Sequence, residues 1–229
     1  MRGAVLTLAA IEPIGQRHPP YTVAMGHDHD SRVIPANEYV RSRWRNGAGW
    51  TREICAMRMG EDHGTEDASD GDWDWRLSIA DIESRSGYSA FPGTRREQVL
   101  LRGDALDLEF PEGDTLRLAP PFGRLRFEGD RCPEATPTGH VEVLNLIWRP
   151  RRVVADVWHR PLVGPMLFFA EPDTCWALHL LAGQARFAKD GSLPSLAQGD
   201  TALLLAPQRR RFLLDGGGEL LVVRLQRPG

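Results

Sequence analysis

The chain has 229 residues, of which 41% are hydrophobic and 26% are charged, and its formal net charge is −3 at pH 7. These values exclude global disorder and give no electrostatic reason to bind nucleic acid or an anionic membrane. The three cysteines, Cys55, Cys132 and Cys175, form no C-x-x-C motif, which argues against a disulfide framework or a cysteine-rich zinc site. No apolar run approaches the length of a membrane span, and a cytoplasmic location is expected.

Residues 1–31 are expected to form an irregular, poorly ordered extension. They contain three prolines and the run His27-Asp28-His29-Asp30, with little periodicity. The histidine pair has the spacing of metal ligands, but a functional site is not expected in such a segment. Residues 60–72 are predicted to be an acidic surface loop, and residues 129–139 are predicted to be irregular.

The rest of the chain shows the two-residue period of β-strands. In residues 73–79 apolar and polar residues alternate strictly, as in a half-buried strand. One face carries Trp73, Trp75, Leu77 and Ile79, and the other carries Asp74, Arg76 and Ser78. Similar short runs recur to residue 225, and no stretch longer than ten residues keeps a helical period. The predicted class is all-β.

A weak internal repeat predicts two similar halves. The first copy has Gly103, then Gly113-Asp114, then a strand ending near Pro120. The second copy has Gly183, then Gly199-Asp200, then a strand ending near Pro207. This rhythm resembles the cupin superfamily, and two copies predict tandem cupin-like β-barrels, a bicupin, with domains at residues 32–139 and 140–229.

Three segments carry a more specific resemblance: residues 44–54 (WRNGAGWTREI), 75–80 (WRLSIA) and 86–95 (SGYSAFPGTR). In order and spacing they are similar to the HutD/Ves family, and the resemblance covers residues 33–225. It implies a bicupin of the bacterial cytoplasm, encoded beside histidine-utilisation genes, with a suggested role as a small-molecule-binding regulator and no established reaction. The family's usual Asp-Leu-Asn triplet is replaced here by Val143-Leu144-Asn145.

The histidines argue against a catalytic metal. A metal-dependent cupin needs several histidines and a glutamate converging on one barrel interior. The first half has no histidine between His63 and His140, and His179 stands alone on its predicted strand. A lone strand histidine is usually a packed or surface residue, so no metal and no other cofactor is expected.

The best candidate for a ligand site is the 44–53 block together with the polar face of the 73–79 strand. Glycines allow a close approach of backbone to ligand, arginines bind carboxylates in bidentate fashion, and neutral side chains add hydrogen bonds. The predicted ligand-binding residues are Arg45, Asn46, Gly47, Gly49, Thr51, Arg52, Arg76, Ser78, Ser89 and Phe91. The alternative is a structural entry loop in which Arg52 pairs with Glu53 or Asp81.

These features predict a metal-independent protein that binds a small anionic metabolite and that regulates histidine utilisation, as the family resemblance suggests. No nucleic-acid or membrane partner is expected, and a homodimer is left open. One alternative is a metal-free isomerase or hydrolase acting on a small carboxylate, with His140, Glu53 or Asp107 as acid or base. The other is a protein–protein interaction module, which an exposed apolar patch would indicate.

Overall fold

The computed structural model describes residues 31–44, 47–59, 73–188 and 193–229, and within these ranges the chain forms strands and no α-helix. The all-β prediction is confirmed. The strands up to the middle of the chain are β1 (Arg32–Ile34), β2 (Val40–Arg43), β3 (Gly49–Met57), β4 (Trp75–Ile82), β5 (Ser86–Gly87), β6 (Arg95–Arg102), β7 (Ala105–Glu109), β8 (Thr115–Leu118), β9 (Arg124–Glu128), β10 (Glu134–Thr138) and β11 (Val141–Trp148). The remaining strands are β12 (Val154–Val163), β13 (Met166–Ala170), β14 (Thr174–Phe187), β15 (Leu196–Ala197), β16 (Thr201–Leu204) and β17 (Arg210–Gln226).

The described strands form three antiparallel sheets. Six strands follow the order β2-β3-β4-β11-β6-β9, and four follow the order β5-β10-β7-β8. The third sheet has the order β1-β16-β14-β17-β12, with β13 also paired to β17 and β15 to β14. The end strands of each order do not pair with each other, so these sheets are open and do not close into the predicted barrels by hydrogen bonding. Within the same ranges, no helix has the length and apolar character that crossing a membrane requires.

The apolar face of β4 packs between the two halves of the chain. Trp75, Leu77 and Ile79 are at most 3% exposed, and they share a core cluster with Cys175 and Val223 of the seven-stranded sheet. Strict alternation along β4 then directs Arg76 and Ser78 to the opposite side of the sheet. The packing of the two halves therefore decides which face of β4 is available for a polar site.

Two further clusters fill the halves themselves. Ala80, Leu100, Leu106 and Val143 belong to a cluster shared by the six-stranded and four-stranded sheets. The seven-stranded sheet encloses a larger apolar cluster of its own, with members from β12 to β17. Burying both faces of the six-stranded sheet makes it the central layer of the molecule, with the second half on one side and the polar site on the other.

The start of the described chain is fastened to the second half. β1 pairs with β16, and Asp200 accepts a hydrogen bond from the Ala36 backbone N at 2.9 Å. The predicted domains were residues 32–139 and 140–229. β1 of the first pairs with β16, and β11 of the second lies between β4 and β6 in the six-stranded sheet. From here on, the first half means the six-stranded and four-stranded sheets, and the second half means the seven-stranded sheet. Apart from Ser31, the predicted extension lies outside the described residues, and so does the predicted loop at 60–72.

The segment 129–139 is not wholly irregular, because it contains β10. Although the segment is rich in turn-forming residues, β10 pairs along its whole length with β7. Pro137 is tolerated there because β5 pairs only with Glu134 and Ala135 on the other side, which leaves the edge open beside the proline.

The repeat glycines occupy comparable backbone conformations. Gly103 and Gly183 have φ values of +106° and +89°, in the region that favours glycine. A Cβ atom at Gly103 would meet the His140 carbonyl oxygen at 2.7 Å, and one at Gly183 would meet the Gly217 carbonyl oxygen at 1.9 Å. The two copies nevertheless differ, because β6 ends before Gly103 whereas β14 continues through Gly183.

Candidate functional site

The site is built on one face of three neighbouring strands, β4, β11 and β6. Ile147 of β11 pairs with both Arg76 of β4 and Arg96 of β6, while Asn145 pairs with Ser78 of β4. Residues directly opposite each other in an antiparallel sheet project from the same face. Two arginines therefore flank Ile147 in one row, and hydroxyl and amide side chains occupy the next row.

These rows form the floor of a cavity of about 500 Å³, a volume suited to a small metabolite. Residues of β2 and the turn after it line one side, and residues following Ser86 line another. The lining residues are Ser42, Arg43, Trp44, Thr51, Arg76, Ser78, Ala80, Gly87, Tyr88, Ser89, Phe91, Arg96, Asn145 and Ile147.

Arg96 is a buried cation with no carboxylate partner among the described residues. It is 7% exposed, and its Nε atom has no hydrogen-bond partner. Its guanidinium carbon lies 4.9 Å from the ring centroid of Tyr88 and 5.2 Å from that of Phe91, so cation–π contacts offset part of the lost hydration. Burial lowers the pKa of Arg96, and the nearby charge of Arg76 lowers it further. Arginine nevertheless stays protonated in proteins, so the site carries an uncompensated positive charge.

Arg76 differs because it already has an anionic partner. Its Nε atom lies 2.7 Å from Oε2 of Glu53 on β3, an ion pair that does not have hydrogen-bond geometry. Glu53 pairs with Ser78 and shares a strand face with Thr51, which places its carboxylate beside the cavity floor. The two floor arginines are therefore not equivalent, since one is neutralised within the protein.

Hydrogen bonds orient the neutral groups of the cavity. Gln98 Nε2 donates to Asn145 Oδ1 at 2.6 Å and to the Tyr88 hydroxyl at 3.0 Å. With its oxygen occupied, Asn145 has its Nδ2 donor left for a ligand. On the other side, Trp44 Nε1 donates to Thr51 Oγ1 at 2.8 Å, so the Thr51 hydroxyl can donate its own hydrogen. The cavity thus presents donors, as recognition of an anion requires.

The structure brings together five of the ten predicted ligand-binding residues. Thr51, Arg76, Ser78, Ser89 and Phe91 all line the cavity. Arg45 and Asn46 lie outside the described residues.

Gly47, Gly49 and Arg52 do not line the cavity. Gly47 has a φ of +71°, which suits a tight turn, and a Cβ at Gly49 would lie 2.2 Å from the Asp81 carbonyl oxygen. Both glycines therefore serve the backbone rather than the cavity.

Arg52 belongs to an ion-pair cluster on the opposite face of β3. Its Nε and Nη2 atoms donate to both carboxylate oxygens of Asp81, at 3.1 and 2.9 Å, and Nη2 also lies 3.0 Å from Glu142. This arrangement is the structural alternative for Arg52. Asp81, His140 and Glu142 are also close enough for a cation to bridge them, but Arg52 already pairs with both carboxylates, and we assign no metal there.

Arg96 and Asn145 are the principal site residues that sequence reasoning missed. The signal was available in residues 96–100, where Arg96 and Gln98 alternate as Arg76 and Ser78 do on β4. The missing information was the pairing of β6 and β4 to the two edges of β11, because residues 20 apart in sequence become neighbours only through that strand.

A family model for HutD matches residues 36–222 of the chain. The chain belongs to the HutD family. The resemblance predicted from the three sequence segments is therefore confirmed.

A protein of 21.2 kDa in the hutC 3′ region of Pseudomonas putida is 35% identical over 124 residues, which are 53% of this chain and 60% of that protein. Protein Ves of Citrobacter koseri is 36% identical over 132 residues, 56% of this chain and 60% of its own length. The matches thus span less than two thirds of these relatives.

Solved structures agree with this assignment. HutD from Pseudomonas fluorescens SBW25, in a formate condition, has a TM-score of 0.70 and 26% identity, covering 87% of this chain and 100% of that one. A cupin 2 conserved barrel domain protein from Leptotrichia buccalis has a TM-score of 0.53 at 9% identity, covering 91% of this chain and 100% of its own. The second likeness shows the fold alone, and it makes the fold of this HutD-family protein cupin-like.

In the segment Val143-Leu144-Asn145, which departs from the triplet that the resemblance implied, Val143 and Asn145 face the cavity side of β11. Val143 is fully buried, pairs with Ala80 and Leu100, and shares a strand face with Asn145. An aspartate at this position would place a carboxylate in the apolar continuation of the cavity floor. In this chain that carboxylate is absent, and the floor beyond Asn145 is apolar.

The second half of this HutD-family protein has a different interior. Phe168, Phe212, Leu180 and Val222 are buried together and fill it with apolar side chains. His179 lies in β14 on the face opposite Leu180, 4% exposed, with Nδ1 3.0 Å from Thr201 Oγ1. Burial lowers the pKa of His179 to about 4. The described cavity therefore belongs to the first half.

Proposed function

We propose that this HutD-family protein binds a small anionic metabolite, a compact carboxylate, in the cavity above β4, β11 and β6. The observation that carries the proposal is the buried charge of Arg96, which has no carboxylate partner among the described residues. Moving an ion out of water costs several kcal/mol unless an opposite charge compensates it. An anion entering the cavity would supply the missing negative charge.

The surrounding donors support a carboxylate. A guanidinium group presents two parallel N–H donors that match the two oxygens of a carboxylate. The hydroxyls of Ser78 and Thr51 and the amide of Asn145 line the same cavity and can bond the rest of the ligand. Each of these groups lies on a strand, which holds it in a fixed position before the ligand arrives.

The composition of the cavity favours binding over catalysis. Its lining residues within the described ranges include no Asp, Glu, His or Cys, and burial raises the pKa of the one lining phenol, Tyr88, which disfavours Tyr88 as a base. An isomerase or hydrolase without a metal needs an acid or base beside its substrate. Of the candidates, His140 lies in the Arg52 cluster, Asp107 lies 3.4 Å from Arg117, and Glu53 is bound to Arg76. We therefore propose a binding protein and not an enzyme.

The architecture and cellular role complete the proposal. We propose that the two halves are the two cupin domains of a bicupin, that the protein works in the cytoplasm, and that ligand binding regulates histidine utilisation. The regulatory part is supported by family membership and by the P. putida relative in the hutC 3′ region. Deleting the gene and following the induction of histidine-utilisation genes tests it. Unchanged induction would remove the regulatory role and leave the binding proposal in place.

Thermal melting tests binding directly. The protein would be melted with histidine, urocanate, N-formylglutamate, glutamate or formate, alongside Arg96→Met and the control Arg95→Met. A ligand at a hundred times its dissociation constant adds about 2.7 kcal/mol of stability. We expect at least one anion to raise the melting temperature of the wild type and of Arg95→Met, but not of Arg96→Met. A wild type that responds to none of these carboxylates, or an Arg96→Met variant that responds fully, would refute the proposal.

A further inference from the structure

We propose that Glu53 determines the charge of the ligand, so that the cavity accepts a molecule with one carboxylate and disfavours a molecule with two. This inference rests on the proposed function, because it concerns the same cavity. It makes Glu53 a specificity-determining residue. The sequence does not reveal this role, because it depends on the contact between Glu53 and Arg76.

The argument begins with the charges around the cavity. Three described arginines line it, and two of them have a carboxylate nearby. Arg76 lies 2.7 Å from Glu53 through its Nε atom, and Arg43 lies 3.9 Å from Glu83 at the exposed mouth. Only Arg96 among these three has no such partner, so one positive charge of the cavity is not paired with a carboxylate. A single carboxylate at Arg96 balances the site.

The next step concerns where a second carboxylate would go. Arg96 and Arg76 flank Ile147 across two strand spacings, so a ligand anchored at Arg96 and extending along the row reaches Arg76. The Cα atoms of the two arginines are roughly 10 Å apart by this spacing. At Arg76 the second carboxylate meets Glu53, which pairs with Ser78 on the same face.

Glu53 therefore acts against a second negative charge in two ways. It already forms an ion pair with Arg76, so a dicarboxylate must break that ion pair or share its cation. If the pair stays intact, the ligand's second carboxylate lies close to a like charge in a partly buried site, which is unfavourable. A neutral hydrogen-bonding group at the same end of the ligand meets no such repulsion, since Asn145 and Ser78 are uncharged donors.

Calorimetric titration of the full-length protein with acetate and with succinate at pH 7.5 tests this inference. Glu53→Gln keeps the size and a hydrogen-bonding group but removes the charge, and Glu53→Ala serves as a second variant. Glu128→Gln is the matched control, because Glu128 forms an exposed ion pair with Arg95 at 3.0 Å, on the face of β6 opposite Arg96. We expect Glu53→Gln to bind succinate roughly tenfold more tightly than the wild type, with a much smaller change for acetate. Glu128→Gln should leave both affinities unchanged.

The outcomes separate this inference from the proposed function. If acetate binds the wild type but neither Glu53 variant gains affinity for succinate, the selectivity role of Glu53 is wrong and the binding proposal stands. If both variants lose affinity for both acids alike, Glu53 instead positions Arg76, which also overturns the inference. If neither acid binds the wild type at any attainable concentration, the carboxylate site and the inference fail together.

Discussion

Arg95 and Arg96 are consecutive residues of β6 whose side chains lie on opposite faces of the sheet. Arg95 is exposed and donates from Nε to Glu128 Oε1 at 3.0 Å, whereas Arg96 is buried against the rings of Tyr88 and Phe91. The same residue type thus forms an ordinary surface ion pair at one position and an uncompensated cation at the next. Substitutions of Arg95 therefore serve as exposed-site controls for substitutions of the buried Arg96.

Arg96→Met is expected to make the ligand-free protein more stable. The methionine fills much of the same space and removes a buried charge whose loss of hydration no carboxylate compensates, and such replacements are often stabilising. We expect the free energy of unfolding to rise by about 1 kcal/mol in urea denaturation, while Arg95→Met changes it by less than about 0.5 kcal/mol. A clear loss of stability in Arg96→Met would indicate that the guanidinium serves the fold rather than a ligand.

An ion pair between the buried Glu97 and the half-exposed Arg126 should be sensitive to removal of the carboxylate. Glu97 is 3% exposed and accepts a hydrogen bond from Arg126 Nε at 2.7 Å, and Arg126 Nη2 donates to the Ala155 carbonyl oxygen at 3.1 Å. Glu97→Ala removes this carboxylate from Arg126, whose side chain is 44% exposed, and we expect a loss of about 1–2 kcal/mol in urea denaturation because solvent screens part of the charge. Glu128→Ala, which breaks only an exposed pair, is the control. Equal effects of the two changes would contradict this account.

His179 should make the protein less stable in mild acid. Its pKa falls from 6.5 to about 4 on folding, because burial disfavours the charged imidazole. Above pH 6.5 neither state binds the proton, so His179 contributes no pH dependence. Between pH 6.5 and 4 the unfolded chain binds a proton that the folded protein does not, and stability is lost as the pH falls.

The size of this effect is about 3 kcal/mol by pH 4. His179→Gln keeps a side chain that can bond Thr201 but does not titrate. Chemical denaturation at several pH values between 7 and 4 should therefore show the wild type losing about 3 kcal/mol more than the variant. Parallel curves would mean that His179 gains its proton as readily in the folded protein as in the unfolded chain.

Alanine substitutions at two turn glycines can distinguish the cost of backbone strain from the cost of a steric clash. Gly103 and Gly113 both have positive φ, at +106° and +98°. A Cβ at Gly103 would meet the His140 carbonyl oxygen at 2.7 Å, whereas a Cβ at Gly113 would meet no atom within 4 Å. We expect alanine at position 113 to lower the free energy of unfolding by about 1 kcal/mol and alanine at position 103 to lower it by about 3 kcal/mol. Urea denaturation would measure both, and equal losses would show that strain alone matters.

Sequence alternation predicted part of the site. The two-residue period of β4 separated Trp75 from Arg76, and the structure places the first in the core between the halves and the second on the cavity floor. The glycine-rich block was a weaker guide. Thr51 lines the cavity, but Arg52 points to the other face of β3 and binds Asp81. Adjacent strand residues cannot share a face, so the consecutive candidate ligand-binding residues of β3 project from opposite faces of the sheet.

By itself, the sequence determined the all-β class, the family and the polar face of β4, because each depends on local order and on periodicity along one segment. Only the tertiary structure decided that Arg96 joins Arg76 on the same floor and that Glu53 neutralises one of them. Those relationships depend on which strands become neighbours and in what register, and a shift of one residue would turn every side chain to the opposite face. The unpaired charge that defines the candidate site is therefore a product of strand pairing between distant segments.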